Sequence, residues 1–91
     1  MQYEIRYTPK ANAGLAKLAK SEPKAFRKAV QLIEELRNNP RTGTGHPEPL
    51  KGGAGENWSR RITQRHRLVY EIRDAEVIVL VLTAYGHYED K

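Results

Sequence analysis

The chain has 91 residues, 16 of them Lys or Arg and 11 Asp or Glu, for a formal charge of +5. That length gives one domain, residues 1–91, with a single core, and the basic balance favours an anionic partner, either nucleic acid or an acidic protein. The absence of cysteine removes disulfides and thiolate chemistry, and no apolar run approaches the roughly 20 residues that span a bilayer.

Gln2 to Tyr7 alternate, with Tyr3, Ile5 and Tyr7 on one side, and predict a first strand rather than a signal peptide. A cytoplasmic protein with no membrane contact is the expectation. Thr8-Pro9 suits a helix start, because Thr can cap and Pro at the first helical position gives up no needed hydrogen bond. Ala11, Leu15, Leu18 and Ala19 form an apolar stripe, with Lys10, Lys17 and Lys20 largely off it. Ser21-Glu22-Pro23 closes this helix and starts a second, in which Phe26, Ala29, Val30, Ile33 and Leu36 recur at helical spacing until Asn38-Asn39-Pro40. Both helices are amphipathic, so each packs one face on a sheet. Lys24, Arg27 and Lys28 form either a solvated face or part of an anion-binding surface.

Residues 41–57 change in texture, holding glycines 43, 45, 52, 53 and 55 together with Pro47 and Pro49. Most of this reads as a connector. Pro47-Glu48-Pro49 does not, because proline fixes its own φ and pushes the preceding residue toward extended backbone. Glu48 is therefore an acid on a stiffened, strand-like peg between glycine-rich flanks.

Trp58 to Leu82 supplies three strand-like runs. In the middle run Leu68, Tyr70 and Ile72 share one side, and Arg67, Val69 and Glu71 the other. An odd loop, Gln64-Arg65-His66, pairs Ile62 with Leu68 and Thr63 with Arg67, keeping one face oily. It also puts Arg61 and Arg67 together on the polar face. The run Val77 to Leu82 is apolar on both sides, as in a strand buried on both faces. Since the helices cover one face, the other requires loop 42–57, a second copy, or a partner's peptide. The fold class is α+β, an antiparallel sheet with two N-terminal helices packed on one face.

Glu48, Arg61, Arg67, His87 and Tyr88 could carry chemistry together. A carboxylate and an imidazole serve as base and acid, guanidinium groups stabilise a phosphorane, and a tyrosine stacks on a base or donates a proton. Attack by an RNA 2′-hydroxyl needs this much and no metal. A lone His near a terminus more often does nothing. His46, His66 and His87 lack ligand-like spacing, so no metal site and no cofactor is expected. There is no nucleophile elbow, and Gly43-Thr44-Gly45 lacks the lysine of a P-loop. Trp58 reads as a core or rim residue, and His66 as an exposed turn residue.

HPEPLKG at 46–52, NWSRRITQRHRLVYEI at 57–72 and GHY at 86–88 together closely resemble the YoeB (Txe/YoeB) toxins of the RelE/ParE toxin–antitoxin superfamily. The resemblance covers most of the chain. It implies an endoribonuclease, an mRNA interferase that cleaves mRNA in the A site of the 70S ribosome and so inhibits translation. It implies Glu48 as general base, Arg67 as phosphate and transition-state stabiliser, His87 as general acid, and Tyr88 as support for the scissile nucleotide. Lys51, Arg61, Arg60 and Arg65 match positions that contact RNA or support the site. Implied partners are an acidic YefM-like antitoxin, a second toxin copy in a homodimer, and operator DNA for the toxin–antitoxin complex only.

The sequence departs from that pattern in two places. It continues past Tyr88 as Glu89-Asp90-Lys91, placing two acids beside a phosphate site, and it has Tyr85 where some members carry arginine. Two rival functions share the scaffold: a non-enzymatic toxin that binds DNA gyrase, as ParE-type toxins do, and an RNA- or antitoxin-binding module with weakened turnover.

Overall fold

The structure, a computed structural model, describes residues 2–52 and 55–86. Strand β1 (Glu4–Tyr7) leads into helices α1 (Pro9–Ser21) and α2 (Pro23–Leu36), then β2 (Glu48–Pro49), β3 (Glu56–Arg61), β4 (Arg67–Arg73), a single 3-10 turn (Asp74–Glu76) and β5 (Ile78–Thr83). The five strands form one sheet in the order β1-β5-β4-β3-β2. All neighbours are antiparallel except β1, which runs parallel to β5. The architecture is α+β as the sequence implies, and the mixed sheet follows from the helical pair, which carries the chain from β1 across to the far edge.

The helix boundaries follow from local chemistry. Thr8 Oγ1 accepts from the Ala11 amide at 3.0 Å and donates to the Leu82 carbonyl at 2.7 Å, so one hydroxyl caps α1 and ties it to β5. Glu22 closes α1 through its amide to Leu18 O at 2.8 Å, and Pro23 opens α2. The core lies between the helices and one sheet face, where Leu18, Leu32 and Leu36 meet Leu68, Tyr70 and Val79. Val30, assigned to the apolar stripe, is exposed; Ala25 and Leu32 are buried instead.

The β3–β4 hairpin differs from the expected register by two residues. Arg60 lies opposite Leu68 and Arg61 opposite Arg67, and Ile62 N–H donates to His66 O at 3.0 Å. The loop is odd as predicted, but it is Thr63-Gln64-Arg65. Parity is preserved, so Ile62 still faces the core while Arg61 and Arg67 share the polar face. In the observed register Arg60, not Ile62, stands opposite Leu68, and it is fully buried on the core side.

Val77 is not in the last strand. It takes a left-handed conformation, φ 55°, at the end of the 3-10 turn. In β5 a bulge separates the Val69–Thr83 and Tyr70–Val81 pairs. Ile78 is buried and Leu80 and Leu82 half-buried within the single chain, so the second face is not an open apolar sheet. Their cross-strand neighbours Arg6, Glu71 and Arg73 flank that face. Among the described residues, no helix is long and apolar enough to cross a membrane.

Candidate active site

Glu48 sits on β2 opposite Ser59, and Arg61 follows two residues later on the same face of β3, opposite Arg67. Directly opposed residues in a sheet point to the same side. Three adjacent strands therefore bring one carboxylate and two guanidinium groups to one surface. The peg between Pro47 and Pro49 is extended as expected, and the Leu50 amide continues the pairing to Asn57 O at 2.8 Å.

Arg67 and Glu48 meet loosely. Nη1 lies 3.4 Å from Glu48 Oε1, and the side chains are 25% and 62% exposed. A contact that long, with water at hand, leaves most of the guanidinium donors without a partner among the described residues and open to another oxyanion. Arg61 is exposed and has no acidic partner among the described residues, while its amide donates to Gly45 O at 2.7 Å. Arg65, at the hairpin tip, and Lys51, after β2, are also exposed. The surface thus carries one carboxylate with two guanidinium groups on the same face.

Arg67 does a second thing through its backbone. Its amide donates to the Gly86 carbonyl at 2.9 Å. The residue after Gly86 is His87, so the strand end bearing Arg67 also holds the base of the C-terminal GHY motif. His87 and Tyr88 themselves, with the Glu89-Asp90-Lys91 tail, lie outside the described residues.

Arg60 does not join this surface. It points into the opposite face, where Nη1 donates to Glu35 Oε1 at 2.8 Å, Nη2 to Thr42 O at 2.8 Å and Nε to the Tyr70 hydroxyl at 3.1 Å. Nη1 also reaches Thr44 O and Nη2 reaches Asn39 O. Of the two roles expected for Arg60, contact with RNA or support, its burial rules out the first: its donors fasten loop 39–44 beneath the sheet. Burial alone would raise the Glu35 carboxyl, but the Thr44 amide and Arg60 outweigh it and hold the group below its ordinary value.

His66 also departs from expectation. It is 2% exposed, not a solvated turn residue. Its Nε2 lies 2.7 Å from Glu22 Oε2, and its Nδ1 accepts from the Gly86 amide at 2.9 Å. Apolar periodicity carries no sign of this. The available signal was position, since His66 immediately precedes Arg67 in the HRLVY run.

Trp58 is a rim residue: half-buried against the core, it donates from Nε1 to Glu56 Oε2 at 2.8 Å. At the far end of the sheet, Arg41 binds Glu56 and Asp74, each at 2.7 Å, and Asp74 accepts from the Tyr3 hydroxyl at 2.6 Å. The hydrogen bond from Arg41 holds Glu56 below its ordinary value, and those from Tyr3 and Arg41 do the same for Asp74.

These features coincide with a known family. Residues 7–88 match the model of a family described as the YoeB-like toxin of bacterial type II toxin–antitoxin systems. Toxin YoeB of Mycobacterium bovis is 44% identical over 68 residues, 75% of this chain and 78% of that protein. Among solved structures, a YoeB/ParE toxin from Agrobacterium tumefaciens superposes with a TM-score of 0.86 at 30% identity, over 93% of this chain and 99% of that one. Staphylococcus aureus YoeB, solved as a dimer, gives 0.82 at 29% identity over 97% and 100% of the two chains. The same toxin in complex with YefM gives 0.79 at the same identity and coverage. With Glu48, Arg61 and Arg67 on one sheet face and the match running nearly end to end, the chain belongs to the YoeB-like toxin family of bacterial type II toxin–antitoxin systems.

Proposed function

We propose that this toxin is an endoribonuclease that cuts mRNA on the ribosome and stops translation. The observation that carries the reading is the juxtaposition of Glu48, Arg61 and Arg67 on one rigid face, with the Arg67 amide holding the residue before His87. Glu48 takes the proton of a 2′-hydroxyl, and the freed oxygen attacks the adjacent phosphorus. Arg67 leaves its weak contact with Glu48 and, with Arg61, neutralises the charge that grows on the phosphorane oxygens. His87 returns a proton to the departing 5′-oxygen, which leaves a 2′,3′-cyclic phosphate on one fragment and a 5′-hydroxyl on the other. Tyr88 supports the scissile nucleotide, and Lys51 and Arg65 hold the flanking phosphates.

The chemistry needs only general acid–base groups and positive charge, so no cofactor enters the scheme. Sheet mounting fixes the base and the cations, while the ribosome presents the message in the reactive geometry. In this reading an acidic YefM-like antitoxin covers the basic surface, the toxin pairs as a homodimer, and operator DNA is bound only by the toxin–antitoxin complex; the YoeB–YefM complex and the YoeB dimer solved from S. aureus support the antitoxin partner and the dimer. The protein acts in the cytoplasm, where ribosomes and message are.

Cell-free translation with purified toxin tests the reading. Mapping of mRNA 5′ ends yields new ends within translated codons for wild type, only while ribosomes engage the message, and none for His87→Gln. Arrested growth with intact message would point instead to a binding-type toxin, with gyrase the next target to assay.

A further inference from the structure

The segment leading to His87 is fastened from every side the described residues allow. Gly86 N–H donates to His66 Nδ1 at 2.9 Å, and Gly86 O accepts from the Arg67 amide at 2.9 Å. Tyr85 lies against α1 so closely that a Cβ on Gly14 would meet the Tyr85 Cβ at 2.9 Å. The His66 ring is 4.6 Å from the Tyr85 ring, and Lys17 Nζ stands 5.0 Å from the centroid of that same ring. The imidazole is itself held at Nε2 by Glu22, the residue joining the two helices.

These contacts fix the tautomer. An amide N–H can only donate, so Nδ1 must be bare; the ring then carries its proton on Nε2, which donates a hydrogen bond to the Glu22 carboxylate. The arrangement orients a ring by a carboxylate so that its other nitrogen can act. Here the other nitrogen holds backbone. Gly86 has φ +85°, and a Cβ built there meets nothing within 4 Å, so glycine serves the backbone turn and not a steric need.

We propose that His66, oriented by Glu22, is a positioning residue that fixes the backbone leading into His87, by holding the Gly86 amide at Nδ1 while Arg67 holds the Gly86 carbonyl. Both ends of one peptide-bearing residue are gripped by consecutive residues, His66 and Arg67. The arginine proposed to stabilise the phosphate and the peptide that leads to the proposed general acid are thereby held from a single point on the chain. The inference rests on the nuclease reading for its consequence, and on the hydrogen bonds alone for its structure.

Three variants separate the roles of the two ring nitrogens. In His66→Asn the side-chain oxygen stands in for Nδ1, whereas in His66→Gln the amide reaches the place of Nε2 and nothing accepts from Gly86. His66→Leu supplies neither. On ribosome-engaged message, kcat falls about 100-fold in His66→Gln and His66→Leu, with KM little changed, and His66→Asn recovers most of it. Gly86→Ala, whose Cβ meets no neighbour but strains the backbone at φ +85°, also lowers kcat by forcing the turn. Antitoxin binding and a cooperative melt verify that each variant is folded. A folded His66→Gln that cleaves at the wild-type rate overturns the proposal, as does a folded His66→Asn no better than His66→Leu.

An arm independent of catalysis uses amide hydrogen exchange and histidine 15N spectra of the full chain. Wild type gives a protonated Nε2, a bare Nδ1 and a Gly86 amide protected from exchange; His66→Gln loses that protection and His66→Asn keeps it. Fast exchange at Gly86 in the wild type overturns the proposal even if the toxin cleaves RNA. A protected Gly86 in a toxin that never cleaves sustains the positional role and sinks the nuclease reading instead.

Discussion

Two arginine–carboxylate pairs stand on opposite faces of the same sheet, from residues seven apart in sequence, and they are built to opposite specifications. Arg60 is fully buried, 2.8 Å from Glu35, with its remaining donors spent on carbonyls and a tyrosine hydroxyl. Arg67 is 3.4 Å from a mostly exposed Glu48 and, among the described residues, its side chain holds nothing else. Removing a cation from water is costly unless every donor finds a partner, so a buried arginine must be saturated and thereby immobilised. An arginine that is to receive a phosphate must be the reverse: placed by its backbone, with its donors uncommitted. Saturation marks the structural pair, and the open pair, unsaturated among the described residues, is the one assigned to the proposed site.

The sharpest way to break this contrast is to remove Arg60. Arg60→Met fills the space yet strands the Glu35 carboxylate and the loop carbonyls, and should cost about 3–5 kcal/mol in urea denaturation. A loss below about 1 kcal/mol would put the buried pair in the same class as the open one. The companion change is Arg67→Ala. Because the backbone amide that holds Gly86 survives, stability should change by less than about 1 kcal/mol. Cleavage of ribosome-bound message should fall about 10²–10³-fold, the usual cost of losing one transition-state donor. Unfolding of Arg67→Ala at much lower urea would show that its side chain is structural after all.

The same contrast explains what the sequence disclosed. Helix ends were legible because Thr8-Pro9 and Glu22-Pro23 act within a few residues. The Glu48 peg was legible because proline restricts its own neighbours, and the Arg61–Arg67 face because strand alternation survives a two-residue register shift. Arg60 was not legible. Its partners come from Glu35, the loop at 39–44 and Tyr70, and no local pattern announces that a guanidinium will find them all. His66 failed for the same reason, since Glu22 and Gly86 meet it only in three dimensions. The parallel pairing of β1 with β5, across more than seventy residues, likewise has no local signature.

A milder test uses pH. Glu35, Glu56 and Asp74 are all held below their ordinary values: Glu35 by the Thr44 amide and Arg60 against its burial, Glu56 chiefly by Arg41, and Asp74 by Tyr3 and Arg41. Carboxyls lowered in the folded state contribute stability that is fully present above their unfolded values, about 4.5 for Glu and 3.8 for Asp. That stability is lost as the pH falls through the lower folded values. The melting temperature should therefore drop on acidification below about pH 4.5. In Arg41→Gln the drop should be shallower, because Glu56 and Asp74 have less to lose. An identical acid limb in that variant would mean the far-end cluster contributes nothing to the pH dependence.

The smallest expected effect lies on the edge strand, where Arg6 meets Glu4 at 2.9 Å with both side chains more than half exposed. By geometry alone this pair is tighter than Arg67–Glu48, yet water screens it, so Glu4→Gln should change stability by less than about 0.5 kcal/mol. Arg6 has one further asset: it stands opposite the half-buried Leu80 across the parallel pair. Its methylene stem can cover apolar surface independently of its charge. Arg6→Ala should then cost more than Arg6→Gln, and the difference should persist in 1 M salt, where the Debye length is about 3 Å. Equal effects that vanish in salt would instead make this a Coulombic pair, and distance would then rank the arginines better than burial does.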